Sequence, residues 1–503
     1  MNHVLCGLAV NPALPSELVD RLITAAGEDL AEALAKREDL TRAQALALAS
    51  RTEQCVAHLV KRGLLTADDV DPVAQPLAAL ALLDEGAGRP AWARLLAVDP
   101  SLERREWLAD CPGLPSDVEE ILAADANIEV VTNLAWRTTP GTAARLAEHP
   151  HAEVRRMVAA NKATPPEVLA ALLTGEGLPP ARWCLDCDRV ETPFTPDPEC
   201  PTLGLCLPPE ASCDGSHEFT VHETHLNALR NPATPVAAVI GFADHPSTLV
   251  CHQLADRPDL PAAMYERLAD SPDSYVRTAL AENPAIGDGL IRVLAVDPDA
   301  NVRRALARNP HVPLEVLTLL ADTAKVGSTL LPRIATASPA EIEELAASPN
   351  SAVRMLLAER RDLPSGIRDA LATDPDAKVV KSIAPHPGLS EARLRSMVDR
   401  HGAQVIAKVA QNPDASPALL ESLARHRPPA QKAFREIARH RNATASALLA
   451  CLPDRRARSV AAGHPALPPQ VIAELLTDDD WNVVEAAAAN PSLPPATMVK
   501  LVP

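Results

Sequence analysis

Apolar residues recur along the chain at helical spacing, within units that repeat about every 26 residues. In one unit, Val302, Ala305 and Leu306 lie at i, i+3 and i+4, which is the apolar stripe of a short helix. Asn309-Pro310 follows this stripe. We call the residue before this proline the anchor residue. Proline disfavours the helical conformation in the residue before it and has no amide to continue the helix, so the first helix of the unit ends here.

A second helix follows the anchor within each unit. Pro313, four residues after the anchor, suits the first position of a helix, where its missing amide costs nothing. Val316, Leu317 and Leu320 form one apolar side of this second helix. Asp-rich turns such as 297–299 then close the unit and place acidic groups near the next helix start. No unit has the period-2 alternation of a β-strand.

This unit is repeated along most of the 503 residues. The clearest anchors are Asn11, Asn231, Asn283, Asn309, Asn412 and Asn490, with degenerate copies at Arg257, His386 and His464. A period of this length is typical of a solenoid, in which each repeat contacts only its neighbours. We therefore predict an all-α solenoid of about 18 short two-helix repeats.

The repeats resemble the leucine-rich repeat variant family, whose units read roughly as an acidic turn, Val-Arg, Ala, Asn-Pro, Pro and then leucines. Residues 299–310, which read Asp-Ala-Asn-Val-Arg-Arg-Ala-Leu-Ala-Arg-Asn-Pro, match that pattern almost throughout. The resemblance covers most of the chain except for the stretches near 66–100 and 175–226. It implies a right-handed superhelix of alternating short and longer helices, part of it 3₁₀ in character.

The array is interrupted once. Anchors Asn161 and Asn231 lie 70 residues apart, so about 45 residues have been inserted into one repeat. We predict an N-terminal repeat array at 1–174, a cysteine-rich insert at 175–226 and a C-terminal repeat array at 227–503.

Half of the ten cysteines lie in the insert, beside a histidine. Because this proline-rich segment cannot form a helical hairpin with its own core, it needs a staple to be ordered. Disulfides are rare in the cytoplasm, so we expect that staple to be a metal ion. Cys184 and Cys187 have the spacing to bind one ion, and the other ligands come from Cys206, Cys213 or His217. The full candidate set is Cys184, Cys187, Cys200, Cys206, Cys213 and His217, of which Cys200 is the least well placed.

Structural zinc is the metal that we predict, and an iron–sulfur cluster is the alternative. Some members of the leucine-rich repeat variant family carry a small four-cysteine domain with a 4Fe-4S cluster, at the N-terminus rather than within the array. In addition, residues 213–217, Cys-Asp-Gly-Ser-His, are identical to the signature of the CDGSH-type iron–sulfur proteins. That resemblance implies Cys213 and His217 as cluster ligands, but the upstream Cys-x-Cys pair of that family has no counterpart here.

Composition limits the function classes. The net charge of −18 argues against nucleic acid as the principal partner, because phosphate binding needs a large positive surface. Basic pairs such as Arg155-Arg156 and Arg303-Arg304 favour a structural ladder of ion pairs with the acidic turns over a binding stripe. No apolar run is long enough to cross a membrane. Residues 1–10 already form the first repeat and leave no room for a signal peptide, so we expect a cytoplasmic protein.

The sequence offers no set of catalytic residues. His222-Glu223-Thr224-His225 does not give the His-Glu-x-x-His spacing of a metalloprotease. We therefore predict a non-enzymatic scaffold that binds a protein partner on its concave face. The alternative is a redox or metal-responsive iron–sulfur protein that uses the array as a docking handle. Because neither chain end has a visible polar cap, we also hypothesise that one end docks on a partner or on another copy, end to end.

Overall fold

The computed structural model describes residues 2–53, 55–187, 213 and 215–503. These residues form 35 α-helices and two 3₁₀-helices, Ile240–Phe242 and Gly402–Gln404. No strand occurs in these ranges, and the one β contact in them is an isolated bridge between His151 and Trp183. The predicted all-α solenoid of short helices is therefore confirmed.

The helices fall into two compact units. The terminal unit consists of Met1–Leu65 and Gly327–Pro503, and the central unit is Thr66–Val326. The division at residues 174 and 227 that we proposed from the sequence stays a prediction. In chain order the helices are α1 His3–Ala9, α2 Ser16–Thr24, α3 Glu28–Ala35, α4 Arg42–Ala49, α5 Val56–Lys61, α6 Pro76–Asp84, α7 Pro90–Leu96, α8 Leu102–Asp110, α9 Ser116–Ala123, α10 Ile128–Arg137, α11 Pro140–Leu146, α12 Ala152–Ala160, α13 Pro166–Thr174, α14 Glu218–Arg230, α15 Val236–Val239, α16 Thr248–Asp256, α17 Ala262–Ala269, α18 Ser274–Glu282, α19 Asp288–Leu294, α20 Ala300–Leu306, α21 Leu314–Thr323, α22 Pro332–Ala335, α23 Pro339–Ala346, α24 Ser351–Leu357, α25 Ser365–Leu371, α26 Ala377–Ile383, α27 Glu391–His401, α28 Ile406–Ala410, α29 Pro417–Ala424, α30 Gln431–Arg439, α31 Ala445–Cys451, α32 Arg455–Ala462, α33 Pro469–Leu475, α34 Trp481–Ala488 and α35 Pro495–Leu501.

The helix boundaries follow the prolines and aspartates of the repeat. The first helix α20 ends just before the anchor Asn309, as predicted. Pro313 lies one position earlier than expected: it is the N-cap of α21, with an extended ψ of 148°, and its carbonyl accepts from the Leu317 N–H. At the other end of the repeat, the Asp299 side chain caps α20 by accepting from the Asn301 N–H at 2.7 Å.

The anchor asparagines form a hydrogen-bond ladder between repeats, a role that the sequence did not predict. Asn309 is fully buried, and its Nδ2 donates to the carbonyls of Ala281 at 3.1 Å and Asn283 at 2.8 Å in the preceding repeat. Its Oδ1 accepts from the His311 N–H at 2.9 Å. Buried backbone groups without hydrogen-bond partners destabilise a fold. Each anchor side chain supplies such partners in its own repeat and in the preceding one, and so it links the two repeats. The same pattern recurs at Asn11, Asn161, Asn231, Asn283, Asn412 and Asn490.

Degenerate anchors donate to the same kind of carbonyl. Arg257 donates to Leu229 O at 3.0 Å and to Asn231 O at 3.4 Å. His386 Nε2 lies 2.7 Å from Ala358 O, and since a carbonyl only accepts, the proton is on Nε2. What the anchor position requires is therefore a side-chain donor rather than asparagine alone.

Arginines of the first helices make the second set of contacts between repeats. Arg277 pairs with Asp297 at 2.7 Å and Arg354 pairs with Asp374 at 2.7 Å, and all four side chains are largely buried. Of the basic pairs named from the sequence, Arg156 forms an ion pair with Glu153 at 2.6 Å, whereas Arg155 donates to backbone carbonyls. Arg303 also donates to backbone carbonyls, among them that of Thr323 at 3.1 Å.

The two chain ends pack against each other within the terminal unit. Asn11 Nδ2 donates to the carbonyls of Ala488 and Asn490, each at 2.8 Å, so the first repeat follows the last one in the asparagine ladder. Arg21 Nη2 donates to Val502 O at 2.8 Å. The first and last repeats, which have no polar cap in the sequence, therefore cover each other's end surfaces. End-to-end self-association stays a prediction.

Across the described residues, no helix is both long enough and apolar enough to cross a membrane.

Candidate metal centre

The first half of the candidate site is attached to the start of α12. After α13, the chain runs back so that Arg182 donates from its backbone to Pro150 O at 2.7 Å, and Trp183 O accepts from the Ala152 N–H at 2.8 Å. Arg155, a buried residue of α12, donates from its Nη1 to Pro179 O at 2.7 Å. These contacts place the following Cys184 turn beside a packed repeat helix rather than on a free loop.

Cys184 and Cys187 form a tight turn whose two thiols face each other. The Cys187 N–H donates to Cys184 O at 3.2 Å, and the Cys184 N–H donates to Cys187 Sγ at 3.3 Å. The two Sγ atoms lie 3.7 Å apart. This is the geometry expected for two thiolates that grip one ion from a Cys-x-x-Cys turn.

The second half of the site is Cys213 and His217, at the start of α14. The Cys213 N–H donates to Asp186 O at 3.1 Å, which joins the two halves through the backbone. His217 is buried and is the N-cap residue of α14, in the left-handed region with φ of 55°. Its Nδ1 lies 3.5 Å from Cys213 Sγ and 3.6 Å from Cys187 Sγ. A non-glycine residue in this conformation is uncommon and points to a local constraint.

The ligand atoms of Cys184, Cys187, Cys213 and His217 all lie within 4.8 Å of one another. Around one ion, with bonds of about 2.3 Å to sulfur and about 2.05 Å to nitrogen, tetrahedral angles place two sulfurs about 3.8 Å apart and a sulfur and a nitrogen about 3.6 Å apart. Three of the six separations between the ligand atoms, 3.7, 3.6 and 3.5 Å, agree with these values, and all six lie within 4.8 Å. The four residues can therefore hold one tetrahedral metal ion.

Burial and hydrogen bonding set the electrostatics of the site. Cys184 is buried, and desolvation raises the pKa of its thiol to about 12. A cation is what would stabilise its thiolate there, since a bound metal deprotonates a coordinating thiol. Backbone donors also face the sulfurs, as the Gly215 N–H lies 3.3 Å from Cys213 Sγ. Cys187 and Cys213 are half-buried, which leaves one side of the site near solvent.

The structure thus brings together four of the six predicted ligands. The other two, Cys200 and Cys206, lie outside the described residues. The backbone groups of Ala152 and Asp186 that hold the site had no signal in the sequence, because any residue type can supply them.

The single cysteines of the repeats are not placed for catalysis. Burial raises the pKa of Cys55 to about 11, and those of Cys111 and Cys451 to about 12. A thiol with such a pKa carries almost no thiolate at neutral pH, and the thiolate is the nucleophile. These cysteines act as small apolar residues of the core.

No protein-family model and no curated protein matches the sequence. Among solved structures, the chain is similar to an engineered protein at 18% identity over 99% of both chains, with a TM-score of 0.16. It is also similar to a chain from the Pds5–Scc1 complex, at 12% identity over 94% of this chain and 66% of that chain, with a TM-score of 0.14. A second engineered protein matches at 17% identity over 75% of this chain and 96% of that one, with a TM-score of 0.08. Similarities with such TM-scores say nothing about ligand or partner.

Proposed function

We propose that the protein is a non-enzymatic protein–protein interaction scaffold whose insert is held by a structural zinc ion on Cys184, Cys187, Cys213 and His217. The observation that carries the metal part is the match between the ligand separations and a tetrahedron around one ion. With all four positions taken by protein ligands, zinc holds a segment in place and performs no chemistry. Its role here would be to fasten the turn at Cys184 to the start of α14.

The compactness of the ligand set favours zinc over an iron–sulfur cluster. In a cluster, the cysteines bind different irons that are separated by bridging sulfides, so their ligand atoms spread more widely than around one ion. The CDGSH resemblance would use Cys213 and His217 as cluster ligands, and those two residues are equally suited to zinc when Cys184 and Cys187 complete the set. Iron–sulfur chemistry on the insert, with the array as its handle, is therefore the second candidate.

The scaffold part rests on the repeats themselves. A helical array offers a long surface and few enclosed sites, which suits an extended protein partner on a concave face. Membership of the leucine-rich repeat variant family, a right-handed superhelix and a cytoplasmic location belong to this proposal as well. The repeat pattern of residues 299–310 and the short paired helices support the family membership and the superhelix.

Metal analysis of the purified protein tests the metal assignment. We expect one equivalent of zinc per chain and no visible absorbance after purification without oxygen. Cys184→Ser combined with Cys187→Ser should abolish zinc binding. Cys251→Ser, which removes a half-buried cysteine of α16 outside the candidate ligand set, should not. A brown sample with iron and sulfide would establish the cluster instead, and a sample without metal would refute both.

Circular dichroism of the same variants tests whether the metal is a local staple. Asn231 donates to Ala159 O at 3.1 Å and to Asn161 O at 2.9 Å, so the ladder continues across the insert through protein contacts alone. Helicity should therefore be nearly unchanged when zinc is lost. Collapse of the whole array would mean that the insert is needed for folding rather than for local order.

Affinity capture with the full chain, followed by a binding assay with the purified candidate, tests the scaffold. Specific retention of a protein partner, lost when the array is unfolded, is expected. Failure to retain any protein under conditions in which the chain is folded would argue against the scaffold.

A further inference from the structure

Charge is divided unevenly between the two units. The terminal unit contains 28 basic and 27 acidic residues, a net charge of +1, whereas the central unit contains 20 and 39, a net charge of −19. Within the terminal unit, residues 377–462 have 15 basic and 6 acidic residues, a net charge of +9. The net charge of −18 for the whole chain therefore hides a basic region. The charge must be counted segment by segment for this region to be seen.

Six of the fifteen basic residues of this region share one face. Helices α26, α28, α30 and α32 are the first helices of four consecutive repeats. Their anchor positions are His386, Asn412, His440 and His464, where His440 takes the place of asparagine although no proline follows it. The residues eight, five, four and one before each of these positions form a single helical stripe. Exposed basic side chains on these stripes form what we call the basic row, which consists of Lys378, Lys408, Lys432, Arg435, Arg439 and Arg456. Glu436 is the one acidic residue at these stripe positions.

The basic row lacks the acidic partners that some other arginines of the terminal unit have. Arg395 pairs with Glu391 at 2.6 Å, and Arg458 pairs with Asp478 at 2.6 Å. None of the six side chains of the basic row forms an ion pair with a described residue, and Lys408 contacts only the side-chain amide of Gln411, at 3.1 Å. Six like charges on adjacent helices repel one another and attract an anionic ligand.

We infer that the basic row binds an extended, acidic segment of a protein partner. The inference rests on the proposed scaffold function and specifies its partner. Four helices at spacings of about 8–10 Å give a row about 24–30 Å long, which an extended chain spans with about eight residues. Gln404, the last residue of the 3₁₀-helix before α28, and Gln411, the C-cap residue of α28, lie exposed at the same stripe positions. Their amides can hydrogen-bond to the backbone of such a segment.

Two other anionic ligands fit the row less well. Single-stranded nucleic acid is bound by aromatic side chains that stack on bases, and residues 377–462 contain one aromatic residue, Phe434, which is half-buried. An anionic membrane is bound through charge and inserted apolar side chains together. Over 377–462, the one exposed large apolar side chain is Leu449, on the second helix α31 and thus outside the row.

Fluorescence anisotropy with the full chain tests the inference. The probe is a fluorescein-labelled peptide of alternating glutamate and glycine, about ten residues long so that it covers the row. A peptide with glutamine in place of glutamate and a duplex DNA are the comparison ligands. Lys378→Glu combined with Arg435→Glu reverses two charges of the row. Arg51→Glu combined with Lys500→Glu reverses two exposed charges of the same unit elsewhere and is the matched control.

We expect the glutamate peptide to bind in a salt-dependent way and the glutamine peptide not to bind. The row variant should weaken binding by about tenfold or more, and the control variant by about twofold or less. The inference is overturned if the glutamate peptide does not bind, if both variants lose binding equally, or if the row prefers duplex DNA. If the chain formed salt-sensitive dimers that the row variant abolished, the row would bind a second copy of the chain, and the inference would be overturned as well. A captured partner whose binding is unaffected by the row variant would leave the scaffold standing and remove this inference alone.

Discussion

Replacing one anchor asparagine tests whether the ladder holds neighbouring repeats together. Asn309→Ala removes the side chain that donates to Ala281 O and Asn283 O and that accepts from the His311 N–H. Asn309, Ala281 and Asn283 are buried, so the two carbonyls lose this donor without gaining water, whereas the His311 N–H is partly exposed. At about 1 kcal/mol for each lost hydrogen bond, we expect the free energy of unfolding to fall by about 3 kcal/mol.

Asn309→His is the matched control, because histidine already occupies the anchor position at His386 and His440. In those repeats Nε2 faces a carbonyl of the preceding repeat at 2.7 and 2.8 Å, and His440 Nδ1 also accepts from the Asn442 N–H at 3.0 Å. Histidine thus replaces about two of the three hydrogen bonds of asparagine. We expect Asn309→His to be destabilised by about 1 kcal/mol, less than the alanine variant.

Urea unfolding followed by circular dichroism at neutral pH measures the change in unfolding free energy. Hydrogen exchange of peptides from α18 and α20 locates it, and exchange there should be about a hundredfold faster in Asn309→Ala, as about 3 kcal/mol of local opening implies. An alanine variant within about 0.5 kcal/mol of the wild type would refute the ladder as a source of stability. A histidine variant no better than alanine would refute the claim that the donor is what matters.

Three further changes probe other contacts. Gly7→Ala should lower the unfolding free energy of the terminal unit by about 1–3 kcal/mol in urea, because an added Cβ would overlap the Glu485 carbonyl oxygen. Asp374→Asn should lower the unfolding free energy by about 3 kcal/mol, because its partner Arg354 is left buried without a counter-charge. Glu315→Gln, in an exposed pair with Arg292, should leave the thermal unfolding midpoint nearly unchanged, and equal effects of the two substitutions would contradict the burial argument. Burial lowers the pKa of His386 from 6.5 to about 4, so the unfolded chain binds more protons between these values and the unfolding free energy falls as pH drops through this window, by up to about 3 kcal/mol. His386→Asn should flatten that pH dependence in urea unfolding measured across the window, and an unchanged slope would exclude His386 as its source.

The repeat architecture was predictable because each helix boundary is written in residue types. The proline after Asn309 ends one helix, and Pro313 begins the next within one position. The asparagine hydrogen-bond ladder was harder to predict. Proline alone explains why the first helix of each repeat ends, so the asparagine had no assigned role. The available signal was that Arg257 and His386 replace asparagine, since the three side chains share little except a hydrogen-bond donor.

The candidate site was predictable as a set of residue types but not as a geometry. Spacing identified Cys184 and Cys187, while the choice of Cys213 and His217 from the remaining candidates needed the fold, because the insert has no periodicity from which to derive a position. The packing of the two chain ends against each other, which we call the joint, has no local signal in the sequence. Asn11 and the carbonyl of Ala488 are 477 residues apart, and no pattern within one repeat indicates which distant repeat completes it.

The joint between the ends has a consequence for biosynthesis. The first repeat leaves the ribosome long before the repeat on which Asn11 packs, and at about 5–20 residues per second the interval is about 25–95 seconds. Throughout that time the N-terminal helices expose the surface that α34 later covers, and a chaperone or a neighbouring nascent chain has access to it. Early segments of this protein are therefore candidates for chaperone dependence during translation, whereas Asn309 follows the carbonyls that it binds by only 26 and 28 residues.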